Sequence, residues 1–160
     1  KYGVGMMDVI SVPELKLHYR VVPSAKGLQL VKIPAAEAAK KICRINNKTT
    51  VRKGLTQLNL HDGRNLLVEK DVYKTGDSVL IELPSQKILQ YVKFEKGSLA
   101  LITKGKNAGK LARINEIFVA KKKEPAKTVC EIVADKTKVE VLKDYLLVVG
   151  KDKPLVKLNE

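Results

Sequence analysis

Hydrophobic residues come in short bursts along this chain, and nearly every burst is closed by a turn-forming pair or a charged cluster. Short runs rich in Val, Ile, Thr and Tyr, bounded by Gly, Pro, Asn or Asp, have the spacing of strands rather than of long helices. Strands are predicted at Val9–Val12, Tyr19–Pro23 and Leu28–Ile33, with Ser24–Gly27 as the turn joining the last two. Cys43–Ile45 and Thr49–Arg52 are predicted to flank a turn at Asn46-Asn47, a pair that tolerates the left-handed conformation. Leu58–Leu60 and Asn65–Val68 flank a second turn at Asp62-Gly63, and Ser78–Leu83 and Lys87–Phe94 a third at Pro84–Gln86. Five more strands follow: Ser98–Thr103, Leu111–Phe118, Thr128–Ala134, Lys138–Val141 and Leu146–Val149. Strands this short, with turns about every 8–12 residues, point to a small barrel.

One segment departs from the pattern. Pro34–Ile42, "PAAEAAKKI", combines a first-turn proline, four alanines and Glu37 four residues before Lys41, and predicts a helix. Lys40, Lys41 and Arg44 then fall at its C-terminal end, where cations also suit the helix dipole. The expected fold class is mainly β, a β-rich central domain with one short helix followed by a small barrel. Lys151–Glu160 holds Pro154 and little periodicity and reads as an extended tail, mobile until it meets a partner.

With 160 residues, 44% of them hydrophobic, the chain can bury a core as one domain or two small ones. No run nears the roughly 18 apolar residues needed to cross a bilayer, and no secretion signal is visible. The chain opens at Lys1, inside a strand-forming stretch, and is expected to be a piece of a longer protein. Cys43 and Cys130 stand far apart with no Cys or His at ligand spacing; two reduced core thiols are expected in preference to one disulfide.

Charge changes the picture most. Lys and Arg number 31 against 17 Asp and Glu, a net +14. Residues 1–53 carry 11 basic and 3 acidic groups, residues 54–93 five of each, and residues 94–160 fifteen and nine. Two positive blocks around a neutral one suit a polyanion, held largely by release of counterions from its phosphates. No long basic amphipathic helix is available to lie on a membrane.

Enzyme chemistry finds no footing. His61 and Asp62 are neighbours, but neighbours on a strand point to opposite faces, and Asp62-Gly63 is explained as a turn. The acids are scattered singly among lysines. Gly105-x-x-x-Gly109-Lys110 is followed by Leu111 and a strand, so it does not form a nucleotide-binding phosphate loop. No cofactor, no metal and no small-molecule substrate are expected.

The most informative stretch is "SLALITKGKNAGKLARINEIFVA", Ser98–Ala120. Two apolar runs flank a turn in which Gly105 and Gly109 permit the bend, as Gly63 does in the second turn, and Lys104, Lys106 and Lys110 put cations on its outside. "KGKNAGKLARI" resembles a KOW motif, the β-loop-β of several ribosomal proteins and transcription factors. With "GVGMMDVISV" (Gly3–Val12), "LHDGRNLLV" (Leu60–Val68), "QYVKFEKGSLALITKGKNAGKLARI" (Gln90–Ile114) and "LLVVGKDKP" (Leu146–Pro154), in this order and spacing, the chain resembles the archaeal and eukaryotic small-subunit ribosomal protein family S-four-e. That resemblance implies the end of an N-terminal RNA-binding module at 1–12, a central β domain at 13–93, a Src-homology-three-like KOW barrel at 94–150 and the tail at 151–160. It also implies a structural constituent of the small ribosomal subunit, in the cytoplasm, binding ribosomal RNA and neighbouring ribosomal proteins and supporting assembly and translation. The absence of a long lysine-rich C-terminal extension favours an archaeal source. A KOW-bearing transcription or translation factor that grips a protein partner is the alternative.

RNA is expected to be held through phosphates and shape. Aromatics make up 4% of the chain, and Tyr2, Tyr19, Tyr73, Tyr91, Tyr145, Phe94 and Phe118 lie mostly in apolar strands, where core packing is their expected role. Lys dominates over Arg, which fits point-charge contact with phosphate rather than bidentate base reading. The candidate RNA contacts are Lys104, Lys106, Asn107, Lys110 and Arg113 in and after the turn, the run Lys121, Lys122 and Lys123, then Lys48, Arg52 and Lys53, then Arg64, and finally Lys40, Lys41 and Arg44. Asn107 could donate its amide to a phosphate or ribose, or serve only as a turn former.

Overall fold

The computed structural model describes residues 3–83, 85–119, 121–156 and 158. Among them, three antiparallel sheets carry the fold, mainly β as the hydrophobic pattern predicts. The first is a meander of β1 (Val9–Val12), β2 (Leu17–Ser24) and β3 (Gly27–Ile33). The second has the order β6-β5-β4-β7-β8, with β4 (Lys40–Thr50), β5 (Thr56–Leu60), β6 (Asn65–Val68), β7 (Ser78–Glu82) and β8 (Lys87–Val92). The third has the order β12-β11-β10-β9-β13, with β9 (Leu99–Ile102), β10 (Leu111–Phe118), β11 (Lys127–Ile132), β12 (Lys138–Leu142) and β13 (Leu146–Gly150). β12 and β13 occupy opposite edges of this sheet, yet a single 3-10 turn, Lys143–Tyr145, joins them. A link that short closes only if the sheet curls, which makes the third sheet a half-barrel.

Two local expectations are corrected. The predicted helix Pro34–Ile42 is cut to α1 (Ala35–Ala38), and Lys40, Lys41 and Arg44 belong to β4. Alanines favour helix only weakly, whereas Lys40–Arg44 gains a full ladder with Glu82–Ser78 of β7 and buries Ile42 and Cys43. The Asn46-Asn47 turn is not formed either. β4 runs straight through it, and the pair marks a bulge in its pairing with β5 between Ile45 and Asn47. The third predicted turn includes Pro84, which lies outside the described residues.

One apolar cluster joins all three sheets: Met7, Val22, Val31, Ile42, Leu80, Leu99, Leu101, Leu147 and Val149, together with Val156 and Leu158. The last two correct the expectation of a mobile tail, since they are only 2% and 7% exposed. Cys43 and Cys130 are free, buried, and in different clusters; burial pushes their thiols up to about 12 and about 11. No described helix is long and apolar enough to cross a membrane.

Candidate nucleic-acid interface

The turn between β9 and β10 is tied down at several points while its lysines stay outside. Gly109 N–H donates to Ile102 O at 2.7 Å, and Ile102 N–H donates to Lys110 O at 3.0 Å, closing the base of the turn. Thr103 donates to Tyr145 O from both its backbone N–H (2.7 Å) and its hydroxyl (3.0 Å). Gly109 has φ +86°, and a Cβ there would lie 2.7 Å from Ser24 Cα and 2.8 Å from Pro23 O. The glycine therefore does more than allow a bend: it lets the turn seat against the β2–β3 hairpin, with no room for a side chain. Lys104, Lys106 and Lys110 are exposed, and among the described residues none of them is in an ion pair. Lys110 Nζ approaches Asn107 Oδ1 at 3.5 Å, so Asn107 acts within the turn.

Lys121, Lys122 and Lys123 are exposed at the tip of the β10–β11 hairpin. Arg52 and Lys53 are exposed in a 3-10 turn, Arg52–Gly54, after β4. Arg113 is half-buried: its Nη1 donates to Gly97 O (2.9 Å) and Lys151 O (3.2 Å), so it fastens the segment after β13 to the barrel. Lys40 is half-buried, and its carbonyl accepts from Arg20.

The remaining candidates are turned to internal use. Lys41 is 1% exposed, with its ammonium between Asp8 and Asp62 (2.8 Å to the latter), so it is not available to phosphate. Asp62 is shared further with Arg64 Nη1 at 3.0 Å. Burial raises both aspartates, but hydrogen bonds and charge from Lys41 outweigh it and hold both below the ordinary value. Burial likewise lowers Lys41, and its two carboxylates outweigh that to hold it above the ordinary lysine value. Arg44 is half-buried, donating to Asn46 Oδ1 (2.9 Å) and to the Asp144 carbonyl of the barrel. Lys48 bonds both oxygens of Asp71 (2.8 and 3.0 Å) and Tyr73 O (3.0 Å).

Arg20 was not legible as a functional or structural centre, yet it is fully buried. It donates to Met7 O (3.0 Å), Glu37 O (2.9 Å) and Lys40 O (2.8 Å), clamping the N-terminal segment, α1 and β4 together. Asp77 plays the matching part before the barrel: it is 3% exposed and accepts from Phe94 N–H (2.7 Å), Lys74 N–H (3.2 Å) and the Tyr91 hydroxyl. His61 accepts the Arg44 N–H on Nδ1 at 3.0 Å, which places its proton on Nε2, 3.4 Å from Met6 O. Burial holds its pKa down, and both ring nitrogens are engaged in packing the N-terminal segment to β4. Among the described residues no group of three or more metal-binding side chains converges.

What these elements define is a β protein with Lys41 and Arg20 buried in its interior and the lysines of its barrel turn and hairpin tip exposed. Residues 15–88 match the family described as ribosomal family S4e. The chain is 44% identical to small ribosomal subunit protein eS4 of Methanothermobacter thermautotrophicus, covering 99% of this chain and 65% of that protein. It is 42% identical to the protein of the same description from Methanocaldococcus jannaschii, covering 99% and 67%. Among solved structures it resembles the crystal structure of 30S ribosomal protein S4e from Thermoplasma acidophilum, with a TM-score of 0.80, 27% identity, and coverage of 95% of this chain and 75% of that one. The chain belongs to ribosomal family S4e. It spans about two thirds of the length of the curated relatives it matches.

Proposed function

We propose that this chain is a structural part of the small ribosomal subunit that binds ribosomal RNA through phosphates, in the cytoplasm, beside other ribosomal proteins. The observation that carries the reading is the anchored turn with three exposed lysines outside ion pairs. A rigid frame fixes where the cations stand, so less side-chain and loop freedom is lost when phosphates are met. Lys121, Lys122 and Lys123, at the opposite end of β10, form a second basic group, with Arg52 and Lys53 as an outlying pair, while Lys41 and Arg44 shape the protein that presents them. The units 13–93 and 94–150 belong to this reading as scaffold and presenting barrel, each built on its own five-stranded sheet. The KOW likeness of the turn belongs to it as well.

The test is a salt titration of binding to small-subunit ribosomal RNA fragments, for this chain and for the variant Lys104→Ala/Lys106→Ala/Lys110→Ala. Each lost phosphate contact lowers the log–log salt slope by about 1, so the variant is expected to lose about 2–3 of slope with its folding intact. An unchanged slope with less than about threefold loss of affinity would remove the turn from the interface.

A further inference from the structure

The β10–β11 hairpin tip carries a feature that phosphate contact does not use. Along β10, Ala112 and Ile114 face the barrel core, and strict alternation would put Glu116 and Phe118 inside with them. A one-residue bulge between Ile114 and Glu116 flips that order. Phe118 is left 48% exposed, the most exposed aromatic side chain among the described residues, and Val119 beside it is 87% exposed.

Phe118 lies opposite Lys127 in the ladder, so the two side chains share one face. Lys127 is in turn paired with Glu140 at 3.2 Å. Together with Pro125, Lys121 and Glu124 these residues line a recess of about 240 Å³. It brings together a flat apolar ring and a proline, the Glu124 and Glu140 carboxylates, and Lys121 and Lys127, with Lys122 and Lys123 next along the chain. The carboxylates can accept N–H groups from a base edge, and the exposed Lys121–Lys123 run beside the recess suits the phosphates flanking that base.

We propose that this recess takes one unpaired nucleobase of an RNA strand, stacked on Phe118, with its flanking phosphates on Lys121–Lys123. The inference rests on the RNA-binding reading above and adds a single-stranded contact to a surface otherwise suited to duplex backbone.

The experiment compares a twelve-nucleotide adenosine RNA, containing one 2-aminopurine, with a twelve-base-pair RNA duplex at fixed 0.1 M salt. Binding of both is measured for this chain and for Phe118→Ala, Phe118→Leu and Phe118→Tyr; the side chain is half exposed, so all three are expected to fold. Removal of a stacking ring is expected to weaken the single strand by about fivefold to a hundredfold. Ala and Leu should show that loss together with loss of 2-aminopurine quenching, Tyr should retain wild-type behaviour, and duplex affinity should not move. If Leu binds the single strand as well as the wild type, the site is not a stacking site. Equal loss on both RNAs overturns the proposal as well. Wild-type binding to duplex but not to single strand overturns it while leaving the phosphate-binding reading in place, and binding to neither overturns both.

Discussion

Lys41 in the central sheet and Lys106 in the barrel turn are the same side chain in opposite roles. The first is sealed between Asp8 and Asp62, drawing the N-terminal segment and the Asp62-Gly63 turn onto β4. The second stands in water on a turn whose backbone is fixed by Thr103, Tyr145 and the β2–β3 hairpin. In the central sheet, positive charge stabilises a fold; in the barrel, the fold positions positive charge. Net charge alone does not separate the two, and only the unpaired set counts toward a partner.

The sharpest way to break the contrast is Lys41→Met. It leaves Asp8 without its charge partner and Asp62 with Arg64 alone, and a loss of about 2–4 kcal/mol is expected in denaturant unfolding, less than a fully buried pair gives because Asp8 keeps a third of its side chain exposed. The pH dependence fixes the sign. Asp8 and Asp62 titrate below their ordinary 3.8, so their contribution is complete above that value and is lost as pH falls through the lower folded values. Lys41 titrates above its ordinary 10.5, so its contribution is complete below 10.5 and is lost as pH rises through the folded value. In the Met variant burial still raises both aspartates, opposed only by the Gly5 N–H at Asp8 and by Arg64 at Asp62, and the stability gap to wild type should narrow below about pH 4. A gap independent of pH would show that Lys41 acts through packing.

Gly109→Ala comes next. It forces positive φ on alanine and drives a Cβ into Ser24 and Pro23, for an expected loss of about 2 kcal/mol by thermal unfolding. Gly105→Ala is its control, because its φ is +87° but its Cβ would sit an ordinary 3.7 Å from the Tyr145 ring. Equal losses would mean that the hairpin contact contributes nothing beyond backbone strain. Lys48→Ala should do least. Its pair with Asp71 is a third to a half exposed, so a loss of about 0.2–1 kcal/mol is expected, with little change in the salt slope of RNA binding.

The strand-and-turn order was legible because each element announces itself locally, as Asp62-Gly63 does between β5 and β6. What failed depended on distant partners. Ala35–Ala39 favours helix, but the strand state of Lys40–Arg44 is decided by β7, some forty residues on. Lys40 and Lys41 are indistinguishable by eye; the aspartates that bury one of them lie 33 and 21 residues away. Phe118 read as core because it lies in an apolar strand; alternation from Ile114 alone would place it inside, and one bulge residue, Asn115, is enough to reverse that. The exposure of the turn lysines was legible because, at a glycine-rich turn, it follows from local geometry alone.

The cluster that unites Met7 with Leu158 also bears on how the chain is made. Its members lie some 150 positions apart, so during synthesis the early strands wait for the late ones before the shared interior can close. At about 5–20 residues per second that wait lasts on the order of ten seconds, during which Val22, Val31 and Ile42 lack their final cover. A topology rich in such distant pairings folds slowly and leaves apolar surface open to association. For a chain this basic, the nascent form is both sticky and strongly charged, and early contact with RNA would shield it on both counts.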